Sequence, residues 1–559
     1  MIKDNKAELV FLPLGGVGEI GMNLALYGYG NKKNKEWIII DFGVGFADFN
    51  TPGADLIFPN IDFLLQEKAN IKAIILTHAH EDHYGAVAYL WSMLEIPVYA
   101  SPFTIGLLEV KCKRDGNDVK IPVNIFQAGD MLKLGNFEIE GVSVTHSIPE
   151  PMTLCITTPL GRVIHTGDWK IDISPAIGKL TDETRLKQLG DEGILALICD
   201  STNAMVKGST PSEKTVNENI VKLLNKIKGR VFIAVFSSNI GRIYSITKAA
   251  EAVGRRVLLV GSSIKTSVSI AKELGYLSDI DNIFLSEEEY STIDRDKIVV
   301  IITGSQGETR AALARIAKEE MRFISMTKGD TVIFSSRAIP GNEKAIIAVQ
   351  NNLVDLGVNI IDAEDNLIHV SGHPAQDDLA TIYGWVKPNI LVPVHGEPLH
   401  LRAHAKFAKS KGIKNVVEIR NGQILKLAPN NVEVIEEVEV GRLYKDGKLI
   451  GTEAELGITE RKRLSYNGHI SVTVILNNQG DFKIEPQIVE VGVPIKNSTG
   501  KNFGNLFQVE IKGVVTSIPH SRRKNTELVK EAIRRAVRAV AFREWGKKPI
   551  TSVFVYHED

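Results

Sequence analysis

The chain has 559 residues, too many for one hydrophobic core, and this length predicts three or four domains. With 44% hydrophobic residues, 24% charged residues and a net charge of −1, it reads as a soluble globular protein and not a bulk polycation. Any nucleic-acid surface must therefore be a local groove. Scattered Cys112, Cys155 and Cys199 argue against disulfides or a cysteine zinc site and fit a reducing cytoplasm. We expect no signal peptide and no membrane span, because no apolar run is long enough.

The predicted elements change character along the chain. Short strands come first, at Glu8–Leu12, Asn23–Tyr27, Trp37–Ile40, Ile71–Thr77, Val98–Ala100, Phe137–Thr145, Thr153–Thr158 and Arg162–His165. From Ile194, strands alternate with helices predicted at Ser212–Ile227, Arg242–Val253 and Glu308–Lys318, which indicates a parallel α/β unit. Strands return at Asn359–Asp362, Leu367–Val370, Ile390–Val394 and Val416–Glu418, before a helix at Thr526–Trp545 and a strand at Ile550–Tyr556. The order predicts a β-rich region that an α/β insert interrupts.

The most specific signal is an HxHxDH loop that follows the apolar strand ending at Thr77. Three imidazoles and a carboxylate this close together are costly to pack unless something coordinates them. His78 and His80 can face one metal centre, and Asp82 and His83 a second one. Neutral imidazole with carboxylate suits Zn²⁺, or Mn²⁺ when more oxygen ligands are present. The alternative is a solvated loop whose histidines coincide by chance.

Four ligands cannot complete two sites, so others must follow. His146, Asp168 and His395 each stand at the end of an apolar strand, and each alone could be an ordinary polar strand end. Together they predict two ligand sets, which are His78, His80, His146 and Asp168, and Asp82, His83, His395 and a shared Asp168. A bridging carboxylate holds two metals about 3.5–4 Å apart, the spacing used in phosphate-ester hydrolysis. The strand residue His165 is predicted to be structural or to support the ligands.

Three loops of small residues are predicted to bind phosphate. They are Ser237-Ser238-Asn239, Gly304-Ser305-Gln306-Gly307-Glu308 and Ser371-Gly372. Glycine lets backbone N–H groups approach an anion, and serine adds a hydroxyl donor. The second loop also precedes a predicted helix whose N-terminus favours phosphate. Each loop could equally be an ordinary turn.

The ligand pattern resembles the metallo-β-lactamase superfamily. Cys199-Asp200-Ser201-Thr202, Ser371-Gly372-His373-Pro374 and Pro393-Val394-His395-Gly396-Glu397 resemble the extra motifs of its β-CASP nucleases. The resemblance implies an α/β fold: an αββα sandwich with an inserted β-CASP α/β domain and a small α+β C-terminal domain. It implies that Asp41 supports the HxHxDH loop as a hydrogen-bond acceptor. It also implies catalytic roles for Asp82, Asp200 and His373, with Asp200 orienting His373 and His373 protonating the leaving oxygen. Alone, Asp200 could be a helix N-cap.

The likeness extends to the ribonuclease J family through Pro13–Asn23, Thr166–Lys170, Cys199–Ala204, Thr303–Glu308 and Ser371–Ala375. It implies a cytoplasmic, metal-dependent ribonuclease acting in RNA maturation and decay. Such an enzyme degrades single-stranded RNA 5′→3′, favours 5′-monophosphate ends and also cuts internally. The likeness implies phosphate binding by Ser237, Ser238, Asn239, Ser371, Gly372 and His373, and, less directly, by Gly304, Ser305 and Gln306. It further implies two divalent metals per chain, a homodimer or homotetramer, and partners in RNA degradation.

The predicted domains are 1–200 and 356–435 for the split metallo-β-lactamase domain, 201–355 for the β-CASP insert, 436–450 for a linker and 451–559 for the C-terminal domain. Basic residues at 521–524 and on the last helix could contact RNA or a second subunit. We favour a solvated helix face for them.

One motif is rejected, and three rival functions stay open. Gly16–Gly21 fits the GxGxxG dinucleotide pattern, but a strand, and not a helix, is predicted to follow it. The rivals are a small-molecule hydrolase of the same superfamily, a catalytically silent RNA-binding scaffold and a nuclease that cuts DNA. The first needs neither the insert nor His373, and metal analysis tests the second.

Overall fold

The computed structural model describes residues 6–32, 34–48, 50–114, 119–339, 341–363 and 366–558. The first five residues, on which the prediction about a signal peptide partly rests, lie outside this description. The chain forms two compact units, Met1–Gly45 with Phe58–Gly441 and Phe46–Ile57 with Arg442–Asp559. Within the described residues, no helix combines the length and apolar character that a membrane crossing requires.

Two β-sheets face each other in the first unit. One has the strand order Glu433–Glu437, Gln423–Ala428, Glu8–Gly15, Leu24–Asn31, Asn34–Ile40, Ile71–Ile75, Val98–Ala100 and Val123–Ile125. The other has the order Asn415–Val416, Ile390–Val394, Ala196–Asp200, Gly161–His165, Met152–Thr158, Phe137–Ser143 and Met131–Leu134. Inward side chains of both sheets form one buried cluster, for example Phe11 and Tyr27 with Ile139 and Ile198. Since alternate residues of a strand face opposite sides, each sheet also presents a second face to helices.

Helices complete the sandwich. Glu183–Glu192, Gln376–Val386 and Pro398–Ser410 pack against the outer face of the second sheet, where Leu186, Leu379 and Ala408 meet Leu197 and Leu391. The first half of the unit also contains helices Asp62–Gln66, Glu81–Tyr84, Val87–Leu94 and Pro102–Arg114. The predicted αββα arrangement is confirmed.

The insert is a parallel sheet covered by helices on both faces. Its strand order is Phe284–Leu285, Arg256–Val260, Ile298–Ile302, Val231–Ala234, Thr331–Phe334 and Asn359–Ile361, with every pairing parallel. Helices Glu213–Lys226, Ile240–Ala252 and Ser262–Glu273 cover one face, and helices Ala312–Ala317 and Glu343–Asp355 cover the other. The chain then returns to the second sheet at Ile390–Val394. The last strand of the first domain segment, Ala196–Asp200, therefore pairs with a strand that follows the whole insert.

Three predicted elements are wrong or misplaced. Residues Leu367–Val370 form no strand, because the Ile368 carbonyl accepts hydrogen bonds from Arg242 and Ser335 instead of from a strand neighbour. The helix predicted at Glu308–Lys318 is shorter and begins only at Ala312. The predicted strand at Val416–Glu418 is also misplaced by one residue, since the observed strand is Asn415–Val416.

The second unit has its own core. Strands Gln487–Val491, His469–Asn477 and Ile550–Glu558 form a three-stranded sheet, and helices Phe503–Ser517 and Thr526–Trp545 pack on it through Phe507, Ile511, Ile533 and Val537. A hairpin of Arg442–Asp446 and Leu449–Gly451 and helices Ile458–Asn467 and His520–Arg523 complete it. Arg523 of the basic run is buried and bonded to the carbonyls of Ile518 and Thr516, so this arginine is structural.

Candidate active site

The HxHxDH loop begins where the strand Ile71–Ile75 ends. His78 and His80 lie in extended backbone, and a short helix, Glu81–Tyr84, turns Asp82 and His83 toward a different point. Nε2 of His78 lies 3.1 Å from Nδ1 of His80, which in turn lies 3.0 Å from Nε2 of His146. Rings from distant parts of the sequence thus converge on one point.

The structure brings all seven predicted ligands together. The first ligand set is His78, His80, His146 and Asp168, and the second is Asp82, His83, Asp168 and His395; within each set the potential ligand atoms lie within 4.8 Å of one another. Asp168 belongs to both sets. Its Oδ2 is 3.3 Å from Nε2 of His83, 3.6 Å from Nε2 of His395 and 3.7 Å from Nε2 of His146.

Hydrogen bonds behind the histidines fix which nitrogen carries the proton. Nδ1 of His83 donates to Asp41 at 2.7 Å, and Nδ1 of His146 donates to the Gly372 carbonyl at 2.6 Å. Nδ1 of His395 donates to Oδ1 of Asn23 at 2.8 Å. Because each acceptor takes the Nδ1 proton, Nε2 is the nitrogen that faces the cluster and presents a lone pair there when the ring is neutral. This is the arrangement that a metal-binding imidazole needs.

The charge state of the first ligand set also fits a divalent cation, whereas in the second set burial is outweighed by Asp168 and Asp82, which raise the pKa of His83 well above 6.5. Burial, together with the other rings, holds the pKa of His78 and His146 well below 6.5, and burial lowers that of His80 to about 4, so these three are neutral. Oδ1 of Asp168 is buried without a hydrogen-bond partner, and an orphaned carboxylate oxygen is costly unless a cation offsets it. The donor set of neutral imidazole and carboxylate therefore suits Zn²⁺ or Mn²⁺.

Asp41 lies directly behind the HxHxDH loop, as expected. Besides His83, it accepts hydrogen bonds from the Thr77 amide at 2.7 Å and the Thr77 hydroxyl at 2.8 Å. Asp41 is buried and has a φ of +63°, an unfavourable backbone conformation for this residue that the surrounding contacts hold. The carboxylate thus anchors the backbone that enters the loop.

Asp200 and His373 form a pair beside the two ligand sets. Nδ1 of His373 donates to Oδ2 of Asp200 at 2.8 Å, while Oδ1 of Asp200 accepts from the amide and hydroxyl of Thr202 at 2.8 and 2.7 Å. Burial opposes the charge on His373, but Asp200 and Asp168 outweigh it and raise its pKa to about 9. The ring is therefore a charged proton donor near neutral pH.

The loop Ser371–His373 contacts the cluster closely. A Cβ at position 372 would lie only 2.5 Å from Cε1 of His146, so Gly372 permits this approach. Oγ of Ser371 accepts from the Asn203 side chain at 2.8 Å and from the His373 amide at 3.2 Å. This loop thereby links the proton donor to a metal-ligand candidate.

The serine loop stands at the N-terminus of the helix Ile240–Ala252. Asn239 caps this helix by accepting from the Arg242 amide at 2.9 Å, while Ser237 and Ser238 are half-exposed. A long helix that begins beside two serines favours an anion at this point.

A cavity of about 340 Å³ opens beside His146. It lies between the sandwich and the insert, with Ser371, Asn239 and Lys170 among its polar lining residues and Ile177 and Ala176 among its apolar ones. A lining of both polar and apolar groups suits a small amphipathic ligand.

Known protein families match four parts of the chain. They are a beta-lactamase superfamily domain at residues 36–187, the ribonuclease J beta-CASP domain at 228–353, a Zn-dependent metallo-hydrolase RNA specificity domain at 361–417 and the ribonuclease J C-terminal domain at 456–557. Over 548 residues the chain is 53% identical to ribonuclease J of Sinorhizobium meliloti, a match that covers 98% of this chain and 97% of that protein. The chain belongs to the ribonuclease J family.

Other relatives agree. Ribonuclease J 1 of Streptococcus pyogenes is 32% identical over 555 residues, covering 99% of this chain and 98% of that protein. The solved structure of a protein of unknown function from Enterococcus faecalis shares the fold, with a TM-score of 0.53, 16% identity and coverage of 75% of this chain and all of the other. This ribonuclease J family member is a metal-dependent, hydrolytic ribonuclease. Its histidine and aspartate clusters suit divalent metal ions, and its RNA specificity domain indicates RNA binding. Membership in this family argues against the small-molecule hydrolase and the silent scaffold.

In this ribonuclease J family member, the predicted phosphate-binding loop Gly304–Glu308 makes hydrogen bonds to another loop of the protein through Gln306. The side chain of Gln306 donates to the Arg337 carbonyl at 2.9 Å and accepts from the Ile339 amide at 2.8 Å. Ser305 and Gln306 are buried, and Gly304 lies in the turn before them. In this conformation the Gln306 side chain braces the loop at residues 337–339.

Several supporting residues were not predicted from the sequence. Asn23 bonds to His395, Thr202 and Asn203 support Asp200 and Ser371, and Arg242 is fully buried in an ion pair with Glu213. Each is an ordinary polar residue, and apart from Thr202, which bonds to nearby Asp200, each has a partner remote in sequence. The nearest available signal was position, since Thr202 and Asn203 closely follow the strand Ala196–Asp200 and Asn23 directly precedes the strand Leu24–Asn31.

Proposed function

We propose that this enzyme degrades single-stranded RNA 5′→3′ from 5′-monophosphate ends, cuts some RNA internally, and serves RNA maturation and decay in the cytoplasm. The cavity beside His146 carries the proposal. Its 340 Å³ lies at the small end of ligand cavities, about 300–1,000 Å³, which suits one nucleotide rather than a strand. A terminal nucleotide seated there would place the next phosphodiester at the ligand sets.

The seven predicted side chains are proposed to bind two divalent cations, Zn²⁺ or Mn²⁺, with Asp168 shared between them. When bound, such cations lower the pKa of water and offset the negative charge on the phosphate. The convergence of the Nε2 lone pairs and the orphaned Asp168 oxygen support this assignment. Asp82, at the rim of the second set, is proposed to act both as a ligand and in catalysis.

His373 is proposed to protonate the departing 3′-oxygen. It is charged near neutral pH, and its Nδ1 is engaged by Asp200, which leaves Nε2–H as the donor to substrate. Asp200 orients the ring and keeps it charged. The pair lies close enough to the cluster for this task, since Nδ1 of His373 is 3.8 Å from Oδ2 of Asp168.

Phosphate binding is proposed for Ser237, Ser238 and Asn239 and for the loop Ser371–His373. Asn239 and Ser371 line the cavity beside the ligand sets, and the helix after Asn239 presents its positive end. The same proposal for Gly304, Ser305 and Gln306 requires Gln306 to leave its contacts with residues 337–339.

The predicted division of the chain remains a proposal: 1–200 and 356–435 for the catalytic domain, 201–355 for the insert, 436–450 for the linker and 451–559 for the C-terminal domain. Assembly as a homodimer or homotetramer, and contact with partners in RNA degradation, are proposed on family likeness. Sedimentation of the purified protein tests the assembly.

The function is tested with labelled RNA carrying a 5′-monophosphate or a 5′-triphosphate, and with DNA of the same sequence. We expect release of mononucleotides from the monophosphate RNA, slower attack on the triphosphate RNA and little on DNA. Asp82→Ala and His373→Ala should abolish or strongly reduce cleavage. Equal rates on both 5′ ends would contradict the terminal-phosphate site, and unchanged cleavage by Asp82→Ala would contradict the metal mechanism.

A further inference from the structure

The glycine-rich segment that matches the GxGxxG dinucleotide pattern joins two strands in the fold and does not precede a helix. This segment, Gly16–Asn23, which we call the glycine loop, joins the antiparallel strands Glu8–Gly15 and Leu24–Asn31. No helix follows it, so it lacks the helix N-terminus that binds a pyrophosphate. It lies instead against three residues of the second ligand set: Asn23 contacts Asp82, His395 and, through Nδ2 at 3.0 Å, Nε2 of His83.

Backbone contacts tie the glycine loop to His395. The His395 amide donates to the Gly16 carbonyl at 2.7 Å, and the Gly18 amide donates to the Gly396 carbonyl at 2.9 Å. These bonds hold His395 at a φ of +53°, which a non-glycine residue rarely adopts. The ring position of His395 therefore depends on the loop.

Asn23 makes the side-chain contacts. Its Oδ1 accepts from Nδ1 of His395 at 2.8 Å, and its Nδ2 donates to the Asp82 carbonyl at 3.0 Å. Its backbone amide also donates to the Asp82 carbonyl at 2.9 Å. Gly16, at a φ of +81°, leaves room for the amide, because a Cβ there would lie 2.2 Å from Oδ1 of Asn23. One amide thus connects two ligand candidates that are more than 300 residues apart in sequence.

The first ligand set is supported by other groups. His78 Nδ1 contacts the Thr77 hydroxyl at 3.0 Å, and His146 Nδ1 donates to the Gly372 carbonyl. A change at Asn23 should therefore act on one ligand set and spare the other.

We propose that Asn23, held by the glycine loop, is a positioning residue for the second metal. This inference rests on the proposed two-metal site. Because an amide oxygen only accepts, Asn23 fixes the proton of His395 on Nδ1 and leaves Nε2 unprotonated toward Asp168 and Asp82. The Nδ2 donor anchors the backbone of Asp82 at the same time.

The test is a Zn²⁺ titration of metal-free protein against a competing chelator, for wild type, Asn23→Leu and Asn23→Asp. Loss of a partner behind a metal ligand typically weakens metal binding about 10–100-fold. We expect Asn23→Leu to bind the first Zn²⁺ normally and the second with a loss in that range. Asn23→Asp keeps an acceptor for His395 but loses the donor to the Asp82 carbonyl, so it should recover only part of the affinity.

Tyr27→Phe is the matched control. Tyr27 lies in the strand after the glycine loop, is fully buried, and bonds through its hydroxyl to Nδ1 of His165 at 2.9 Å. His165 belongs to neither ligand set, so this variant should bind two Zn²⁺ with wild-type affinity. If Asn23→Leu does not fold, as judged by thermal unfolding, Asn23→Ser replaces it, since a serine hydroxyl is too short to reach His395.

The outcomes separate the two claims. If wild type binds fewer than two Zn²⁺, the proposed two-metal function fails. If wild type binds two and Asn23→Leu binds both equally well, the positioning role of Asn23 is wrong while the function stands. If Asn23→Asp is as weak as Asn23→Leu, the role assigned to the acceptor is wrong.

Discussion

Replacing Asp200 by asparagine tests the proton donor while changing almost no volume. Oδ1 of Asp200 accepts two hydrogen bonds from Thr202, so the amide of the variant keeps its oxygen there and turns its NH₂ toward Nδ1 of His373. A donor then faces the nitrogen that carried the proton. His373 loses both its hydrogen-bond acceptor and the negative charge that kept it protonated, while Asp168 stays in place.

The size of the effect follows from the pKa of His373. The difference between about 9 and the ordinary 6.5 corresponds to about 3 kcal/mol of preference for the charged ring. At pH 8, about nine tenths of wild-type His373 would be protonated, against about one part in thirty in a variant with a pKa of 6.5. The rate should then fall about 30-fold.

The assay is the ratio of wild-type to variant kcat on 5′-monophosphate RNA between pH 6 and pH 9. Any pH dependence that both enzymes share cancels in this ratio. The protonated form acts, so wild type should keep its donor until pH 9, and the variant should lose it from about pH 6.5 upward. The ratio should rise from close to one at pH 6 to about 30 at pH 8.

Thr202→Val is the control, because it removes a hydrogen bond to Asp200 and keeps the charge. The ratio of wild-type kcat to Thr202→Val kcat should be close to one and nearly independent of pH. A ratio for Asp200→Asn that stays flat across this range would refute the assignment of His373 as the acid.

Three further predictions concern the ion pair, the cavity and the first ligand set. Arg242→Met should destabilise the first unit by about 3–5 kcal/mol, since it leaves Glu213 buried without its partner, and adding Glu213→Met should recover part of the loss in thermal unfolding. Ala176→Trp should fill the cavity and block release of mononucleotides on gels, while internal cuts persist; inhibition of both would show that the cavity is not specific to 5′ ends. His80→Ala should reduce bound metal to about one ion per chain by elemental analysis, and retention of two ions would remove His80 from the ligand set.

The seven converging side chains were accessible from the sequence because of where they stand. Polar residues that follow Ser143, His165 and Val394, at the strand ends of the second sheet, meet the loop that follows Ile75 of the first sheet, even though an insert separates them in sequence. The local pattern of a polar residue after an apolar strand therefore predicted contacts between residues far apart in sequence. The parallel insert was predictable for the same reason, from the alternation of strand and helix.

Other features depended on partners that a local pattern does not reveal. Leu367–Val370 has the apolar character of a strand, but its backbone bonds to Arg242 and Ser335 of the insert. The helix after Gly307 begins only at Ala312, because the Leu313 amide donates to the Thr303 carbonyl and the residues between them form a loop. The roles of Asn23 and Gln306 likewise appear only when the chain is folded, because their partners lie far away in sequence.

The bond between Nδ1 of His146 and the Gly372 carbonyl has a thermodynamic consequence. It couples a ring in the first ligand set to the loop proposed to hold substrate phosphate. If bound metal tightens this bond and raises the affinity for RNA, then bound RNA must raise the affinity for metal by the same factor, because binding coupling is reciprocal. RNA should therefore raise the affinity of the enzyme for metal, and loss of metal should weaken RNA binding.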